Sequence, residues 1–265
     1  CALPILCLVH GLCSTPEELF PLQSALRRAG HEVRALTIAG YSFEADRQPQ
    51  RWTPHSEWTR VVAQEVQALQ QAQQLVVLVG LSAGANVVLA ATMALLKPVD
   101  GLVLMSTPLR VDGWAVPWYQ FLLPLALYTP AGRFWQYREK PPYGVKDERV
   151  RRWIEHQLAE RKVSSAGAAV IGVDHLREHD RLRRQVRRDL ARVKAKRALL
   201  LHAREDEVAS LSNLRLLESQ LPVPHRRSVI LENSYHMITI DHDRPQVVRE
   251  TLQFVNMFSS EAADA

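Results

Sequence analysis

Gly80-Leu81-Ser82-Ala83-Gly84 constrains this chain more than any other stretch. Ahead of it runs Gln74-Leu75-Val76-Val77-Leu78-Val79, apolar and β-branched, which reads as a buried strand. Behind it, Ala85 to Leu96 is a helix-forming run that stops before Pro98. Ser82 therefore stands on a strand–turn–helix junction. So sharp a turn leaves room only for small neighbours and pushes the hydroxyl out over the end of the sheet, where it is available as a nucleophile. The same five letters in another context would be an ordinary glycine-rich turn with a capping serine.

A hydroxyl is a weak nucleophile at its own pKa and needs a base within hydrogen-bond reach; the base needs a third group to orient it. Candidates follow later strands. After the strand-like Arg197 to His202 comes Ala203-Arg204-Glu205-Asp206-Glu207-Val208, where three acids compete. After Arg227 to Glu232 comes Asn233-Ser234-Tyr235-His236-Met237-Ile238-Thr239. Of ten histidines, His236 alone lies in a loop between a late strand and a final helix; His225 precedes that strand and His242 starts the helix. The oxyanion of an acyl-transfer intermediate needs N–H donors, one from Ala83 after the serine and one from an early loop. His10-Gly11-Leu12 follows the first strand, and the Leu12 N–H is assigned as the second donor. His10 reads as structural, and Cys13 as pocket lining or packing, since no strand–helix turn surrounds it.

Strand-like segments at 4–9, 32–38, 74–79, 101–106, 197–202 and 227–232 alternate with helix-like ones at 16–29, 55–72, 82–96, 174–195, 212–221 and 245–258. This alternation predicts an α/β fold with a mainly parallel sheet of about six strands and helices on both faces. From Thr107 to Val173 no strand is expected. That stretch gathers Trp114, Trp118, Tyr119, Phe121, Trp135, Tyr137 and Tyr143, punctuated by prolines, and is too apolar for a disordered linker. The expectation is a core of residues 1–106 and 174–265 with a cap of short helices at 107–173 covering the site.

Composition excludes several classes. No apolar run approaches the roughly 18 to 20 residues of a membrane span, so no stable membrane insertion is expected. The net charge of +5 is concentrated between Arg177 and Arg197, where Leu182, Val186, Leu190 and Val193 mark one apolar helix face. With no aromatic residues interleaved, the arginines read as a solvated outer face, and no nucleic acid is expected as a partner. No metal-ligand spacing and no phosphate loop occur, so neither metal nor cofactor is expected. Three cysteines suit a reducing compartment. Cys1 in first place would suit a lipid-modified mature chain, but the strand from Pro4 leaves no tether, and a cytoplasmic location is expected.

The order of elements and these motifs resemble the α/β-hydrolase superfamily, and within it the small bacterial carboxylesterases and monoacylglycerol lipases. Leu8-Val9-His10-Gly11-Leu12 is similar to the family's oxyanion segment, Glu57-Trp58 to a tryptophan-bearing helix before the nucleophile strand, and Gly80 to Gly84 to the nucleophile turn. Ala203 to Glu207 resembles the acid loop, in which the family's aspartate falls on Asp206, leaving Glu205 and Glu207 in reserve. Ser234 to Asp241 resembles the histidine loop, with the histidine at His236. The resemblance implies Ser82, Asp206 and His236 as a catalytic set acting on short- or medium-chain acyl esters or monoacylglycerols, small-molecule partners all. The same set would serve thioesters or carbon–carbon bonds, and a non-catalytic binding protein on this fold is the alternative from outside enzymology. Two departures stand out. Ala39-Gly40-Tyr41-Ser42-Phe43 replaces a Gly-His-Gly, which suggests an altered pocket entrance, and Tyr235 replaces a glycine, which suggests a narrowed leaving-group side.

Overall fold

The computed structural model describes residues 3–44, 50–130, 132, 135–161, 163–164 and 166–261. Cys1 lies outside them. Six strands form one sheet: β1 (Ile5–Val9), β2 (Val33–Ala35), β3 (Val76–Leu81), β4 (Val99–Met105), β9 (Ala195–Ala203) and β10 (His225–Leu231), in the order β10-β9-β4-β3-β1-β2. Every pairing in it is parallel. β1, β3 and β4 are buried along their whole lengths, as near-continuous apolar runs require in a sheet covered on both sides.

Side-chain alternation divides the core. Cys7, Val9, Leu78, Leu102, Leu104 and Leu200 face α2 (His55–Gln71), α3 (Ala83–Ala94), α6 (Val173–Asp189) and α7 (Leu211–Gln220). Leu6, Leu8, Val77, Val79, Val103, Met105 and Leu201 face α1 (Phe20–Arg28) and α8 (Arg244–Glu261). On α6 and the 3-10 turn that follows it, Leu182, Val186 and Leu190 form the buried stripe that their spacing implies. The outer strand β10 opens with exposed His225, Arg226 and Arg227, charge that discourages further strand pairing. Among the described residues, no helix is long and apolar enough to cross a membrane.

The segment from Thr107 to Val173 departs from expectation. It does contain helices, α4 (Leu123–Tyr128) behind a 3-10 turn at Trp118–Leu122, and α5 (Glu148–Arg161). Among the described residues it also contains four short strands: β5 (Gln136–Arg138), β6 (Val163–Ser164), β7 (Gly167–Ala168) and β8 (Val170–Gly172). They pair antiparallel as β5 with β8 and β6 with β7. Strands of two or three residues are too short to leave an alternating pattern, which is why the sequence conceals them. The aromatics here are largely exposed: Trp114, Trp118, Phe121 and Tyr137 line the outside rather than a private core.

This segment is bonded to the loops at the carboxyl ends of three sheet strands. Ala168 N–H donates to the Cys13 carbonyl after β1 (3.1 Å), Gly113 N–H to the Val208 carbonyl after β9 (2.9 Å), and Met237 N–H after β10 to the Gly144 carbonyl (2.8 Å). The Asp241 carboxylate strengthens the last junction by accepting from the Lys146, Asp147 and Tyr235 N–H groups at 2.7, 3.0 and 2.8 Å.

One close approach holds the centre of the sheet together. A Cβ on Gly84 would fall 2.3 Å from the Val9 carbonyl oxygen and 2.4 Å from that of His10, so α3 reaches the end of β1 only because position 84 has no side chain. Gly84→Ala is therefore expected to lose about 1–3 kcal/mol of stability in urea unfolding, the cost of overpacking a rigid contact. Gly172→Ala, whose Cβ would meet nothing nearer than His175 at 3.8 Å, is expected to unfold within about 0.5 kcal/mol of wild type.

Candidate active site

Ser82 occupies the junction of β3 and α3 with φ 53° and ψ −124°, in the strained left-handed half of backbone space that side-chain-bearing residues avoid. Its N–H is anchored to the Met105 carbonyl of β4 at 2.9 Å. A Cβ at Gly80 would lie 2.6 Å from Ala85, so small residues on both sides are a steric requirement of the turn.

The Ser82 hydroxyl lies 2.8 Å from His236 Nε2. On the far side of the ring, Nδ1 lies 2.8 and 2.9 Å from the two carboxylate oxygens of Asp206. A carboxylate only accepts, so Nδ1 carries the proton, and Nε2 of the neutral ring is left to accept from Ser82. Asp206 is itself held by the Val208 and Ala209 N–H groups at 2.9 and 2.8 Å. His202, buried beneath it, donates to the Ala209 carbonyl at 2.7 Å.

The three acids of this loop take three different places. Glu205 is exposed and pairs with Lys146 at 3.0 Å. Glu207 is buried and accepts the His236 backbone N–H at 3.0 Å, so it holds the histidine loop rather than the ring. Only Asp206 among them meets the imidazole. The spacing of Glu205-Asp206-Glu207 alone does not make that distinction, because it depends on how the loop folds back.

Charge around His236 is unusually rich in carboxylates. Burial would push the ring's pKa down, but the Asp206 carboxylate outweighs it and, with Glu207 and Glu18, raises it. Burial conversely raises the carboxyls of Glu207 and Glu18, the latter to about 7. Glu18 was missed by sequence reasoning. It sits at the 3-10 turn Pro16–Leu19, looks like an ordinary first-turn acid, and is buried with its carboxylate accepting the Gly11 N–H.

The loop after β1 is braced from behind. His10 Nε2 lies 2.8 Å from the Ser42 hydroxyl, and Tyr41 OH donates to the His10 carbonyl at 2.5 Å. Tyr41 is fully buried and packs on Trp58, with ring centroids 5.1 Å apart. Tyr41 and Ser42 are thus supports for the His10–Leu12 loop. Cys13 is buried beside Ala168 and Ile171, and burial pushes its thiol up to about 12, the state of a packing residue. The Tyr235 ring meets Trp114 edge-on at 5.4 Å. Among the described residues, neither the Leu12 nor the Ala83 N–H donates to a protein acceptor.

Comparison with known proteins shows the family. Residues 2–243 match the family described as serine aminopeptidase, S33. The thermostable monoacylglycerol lipase of Bacillus sp. (strain H-257) is 26% identical over 248 residues, covering 93% of this chain and 88% of that one. A solved structure from the metagenome-derived lipolytic enzymes LipS and LipT superposes with a TM-score of 0.77 at 21% identity, covering 97% of this chain and 94% of that one. The monoacylglycerol lipase of Paleococcus ferrophilus gives 0.74 at 17% identity, over 96% and 95% of the two chains. A soluble variant of monoglyceride lipase from Saccharomyces cerevisiae gives 0.76 at 12%, over 97% and 87%. With a match to the family pattern along nearly its whole length, this chain belongs to the serine aminopeptidase S33 family of α/β-hydrolases and resembles its monoacylglycerol lipases and esterases.

Proposed function

We propose that this protein is a serine esterase that cleaves short- or medium-chain acyl esters or monoacylglycerols through an acyl-enzyme. The observation that carries the reading is the continuous chain from the Ser82 hydroxyl through both nitrogens of His236 to Asp206. Likeness to monoacylglycerol lipases supports the choice of substrate class.

In this reading, Ser82 Oγ attacks the ester carbonyl while His236 Nε2 takes its proton. Asp206 keeps the ring in the correct tautomer and stabilises the imidazolium that forms. The N–H groups of Leu12 and Ala83 receive the negative oxygen of the tetrahedral intermediate. His236 returns the proton to the departing alcohol, and a water activated by the same ring cleaves the acyl-enzyme. Residues 107–173 act as a cap. Their hydrogen bonds to the loops of Cys13, Val208 and Met237 support that role, since those loops surround Ser82.

Hydrolysis of p-nitrophenyl esters from acetate to palmitate tests the reading. Turnover is expected to peak at an intermediate chain length, and Ser82→Ala to lower kcat by at least about 10³-fold with unchanged folding. Acyl thioesters and amino-acid p-nitroanilides run in parallel are expected to be slower. A higher kcat/KM on either would replace the ester assignment.

The pH profile follows from the carboxylates. Only neutral His236 accepts the serine proton, and a raised pKa keeps the ring protonated to higher pH. The kcat/KM is therefore expected to be low in acid and to climb through neutrality into the alkaline range. In Asp206→Asn the rising limb is expected to move to lower pH while kcat falls by about 10⁴-fold, the measured scale for loss of the orienting acid in such a set. A limb that stays in place would show that Asp206 does not set the charge of the ring.

A further inference from the structure

Apart from Ser82, the molecule has a cleft of about 490 Å³ between α6 and the start of the 107–173 segment. Four guanidiniums line it: Arg110 from the loop after β4, and Arg183, Arg184 and Arg187 from α6. They face the same space because residues 183, 184 and 187 share one side of a helix, while Arg183 also reaches the Leu109 carbonyl and so draws the Arg110 loop against it.

Two carboxylates line the cleft as well, and both are already committed. Asp180 takes Arg183, takes Arg184 at 2.8 Å and accepts the Tyr128 hydroxyl at 2.6 Å. Asp112 accepts from the Ser210 N–H, the Ser212 hydroxyl and the Asn213 amide at 2.9, 2.6 and 2.9 Å, and those bonds hold its carboxyl below the usual range against the opposing effect of burial. Among the described residues, the side chains of Arg110 and Arg187 have no ion-pair partner. Partial burial and the crowding of Arg183, Arg110 and Arg184 leave Arg187 holding its proton less tightly than an isolated guanidinium does.

The wall opposite is apolar and open. Trp118 is 84% exposed and Phe121 66% exposed, their ring centroids 6.2 Å apart, with Leu123 and Pro124 beside them. A solvated arginine face explains neither the convergence of four like charges nor the aromatic side chains held against them in water.

We propose that this cleft is a binding site for an anionic amphiphile, whose phosphate or carboxylate head lies between Arg110 and Arg187 and whose alkyl part lies on Trp118 and Phe121. The fork of donors on a guanidinium matches both head groups in two-point geometry. The head supplies the negative charge the cleft lacks, and the alkyl part covers the exposed rings. The site is separate from the reaction at Ser82 and stands whichever bond is cleaved there.

The test is calorimetric titration of dodecyl phosphate, below its micelle threshold, into Ser82→Ala protein and into the same protein carrying Arg110→Gln and Arg187→Gln. Both arginines are exposed, so the substitutions are expected to leave the fold and the ester turnover of the Ser82 form intact. Dodecyl phosphate is expected to bind at least tenfold more weakly to the double variant, with monolauroylglycerol binding unchanged. Equal affinity of dodecyl phosphate for the two proteins would overturn the proposal. Inorganic phosphate binding as tightly as dodecyl phosphate would overturn its amphiphile part. Phosphatidylglycerol vesicles identify the source: co-sedimentation lost in the double variant assigns the head group to a lipid surface, and no co-sedimentation alongside dodecyl phosphate binding assigns it to a soluble amphiphile.

Discussion

The left-handed turn at Ser82 is the constraint on which the site depends. A residue with a Cβ at φ 53° costs on the order of 1–3 kcal/mol, and it persists only where its surroundings leave no alternative. Those surroundings are the central strands of the sheet. β1 and β4 pair with β3 on its two sides, Met105 takes the Ser82 N–H, and Gly84 brings α3 into contact with the carbonyls at the end of β1. Because the turn is fixed by three elements at once, the hydroxyl has one position. The His10–Leu12 loop is fixed by the same contact, since the carbonyl of His10 is one of those that Gly84 touches.

His236 and Asp206 are placed more indirectly. Both lie on loops, and loops hold geometry only when their polar backbone is tied down. Asp206 is tied by the N–H groups of Val208 and Ala209, the His236 backbone by Glu207, and the residues on either side of the histidine by Asp241 and Gly144. One of these ties, from the Met237 N–H to the Gly144 carbonyl, runs to the 107–173 segment, and Asp241 also accepts from Lys146 and Asp147 there. That segment shares hydrogen bonds with the loops after β1, β9 and β10. Motion in it would reach the site through the Met237 and Asp241 contacts.

Buried acidity is the price of this arrangement. Asp206, Glu207 and Glu18 all act on one imidazole, and burial lifts the carboxyls of Glu207 and Glu18 while Asp206 stays ionised against it. Asp206 differs because it faces the ring and carries its charge beside it, whereas Glu18 accepts the Gly11 N–H and Glu207 the His236 N–H and so brace loops. The outer cleft shows the reverse imbalance, with positive charge in excess. On the arginine-rich helix one face is core, and another lines this cleft with Arg110.

Much of this was legible in the chain. The alternation of strand and helix, the parallel sheet of six strands, the apolar stripe of α6 and the turn at Ser82 are local in origin, since side-chain period and small residues at a steric pinch leave a direct imprint on sequence. Ser82 and His236 also stand where strand ends put them. Tertiary structure alone decided which of Glu205, Asp206 and Glu207 meets the ring, because neighbours along a loop differ only in where its backbone turns. It alone buried Glu18 against Gly11, set Tyr41 and Ser42 behind His10, formed strands of two or three residues between Thr107 and Val173, and brought Arg110 to α6. Each of these joins residues far apart in the chain through hydrogen bonding or charge, and such contacts have no period for a sequence to display.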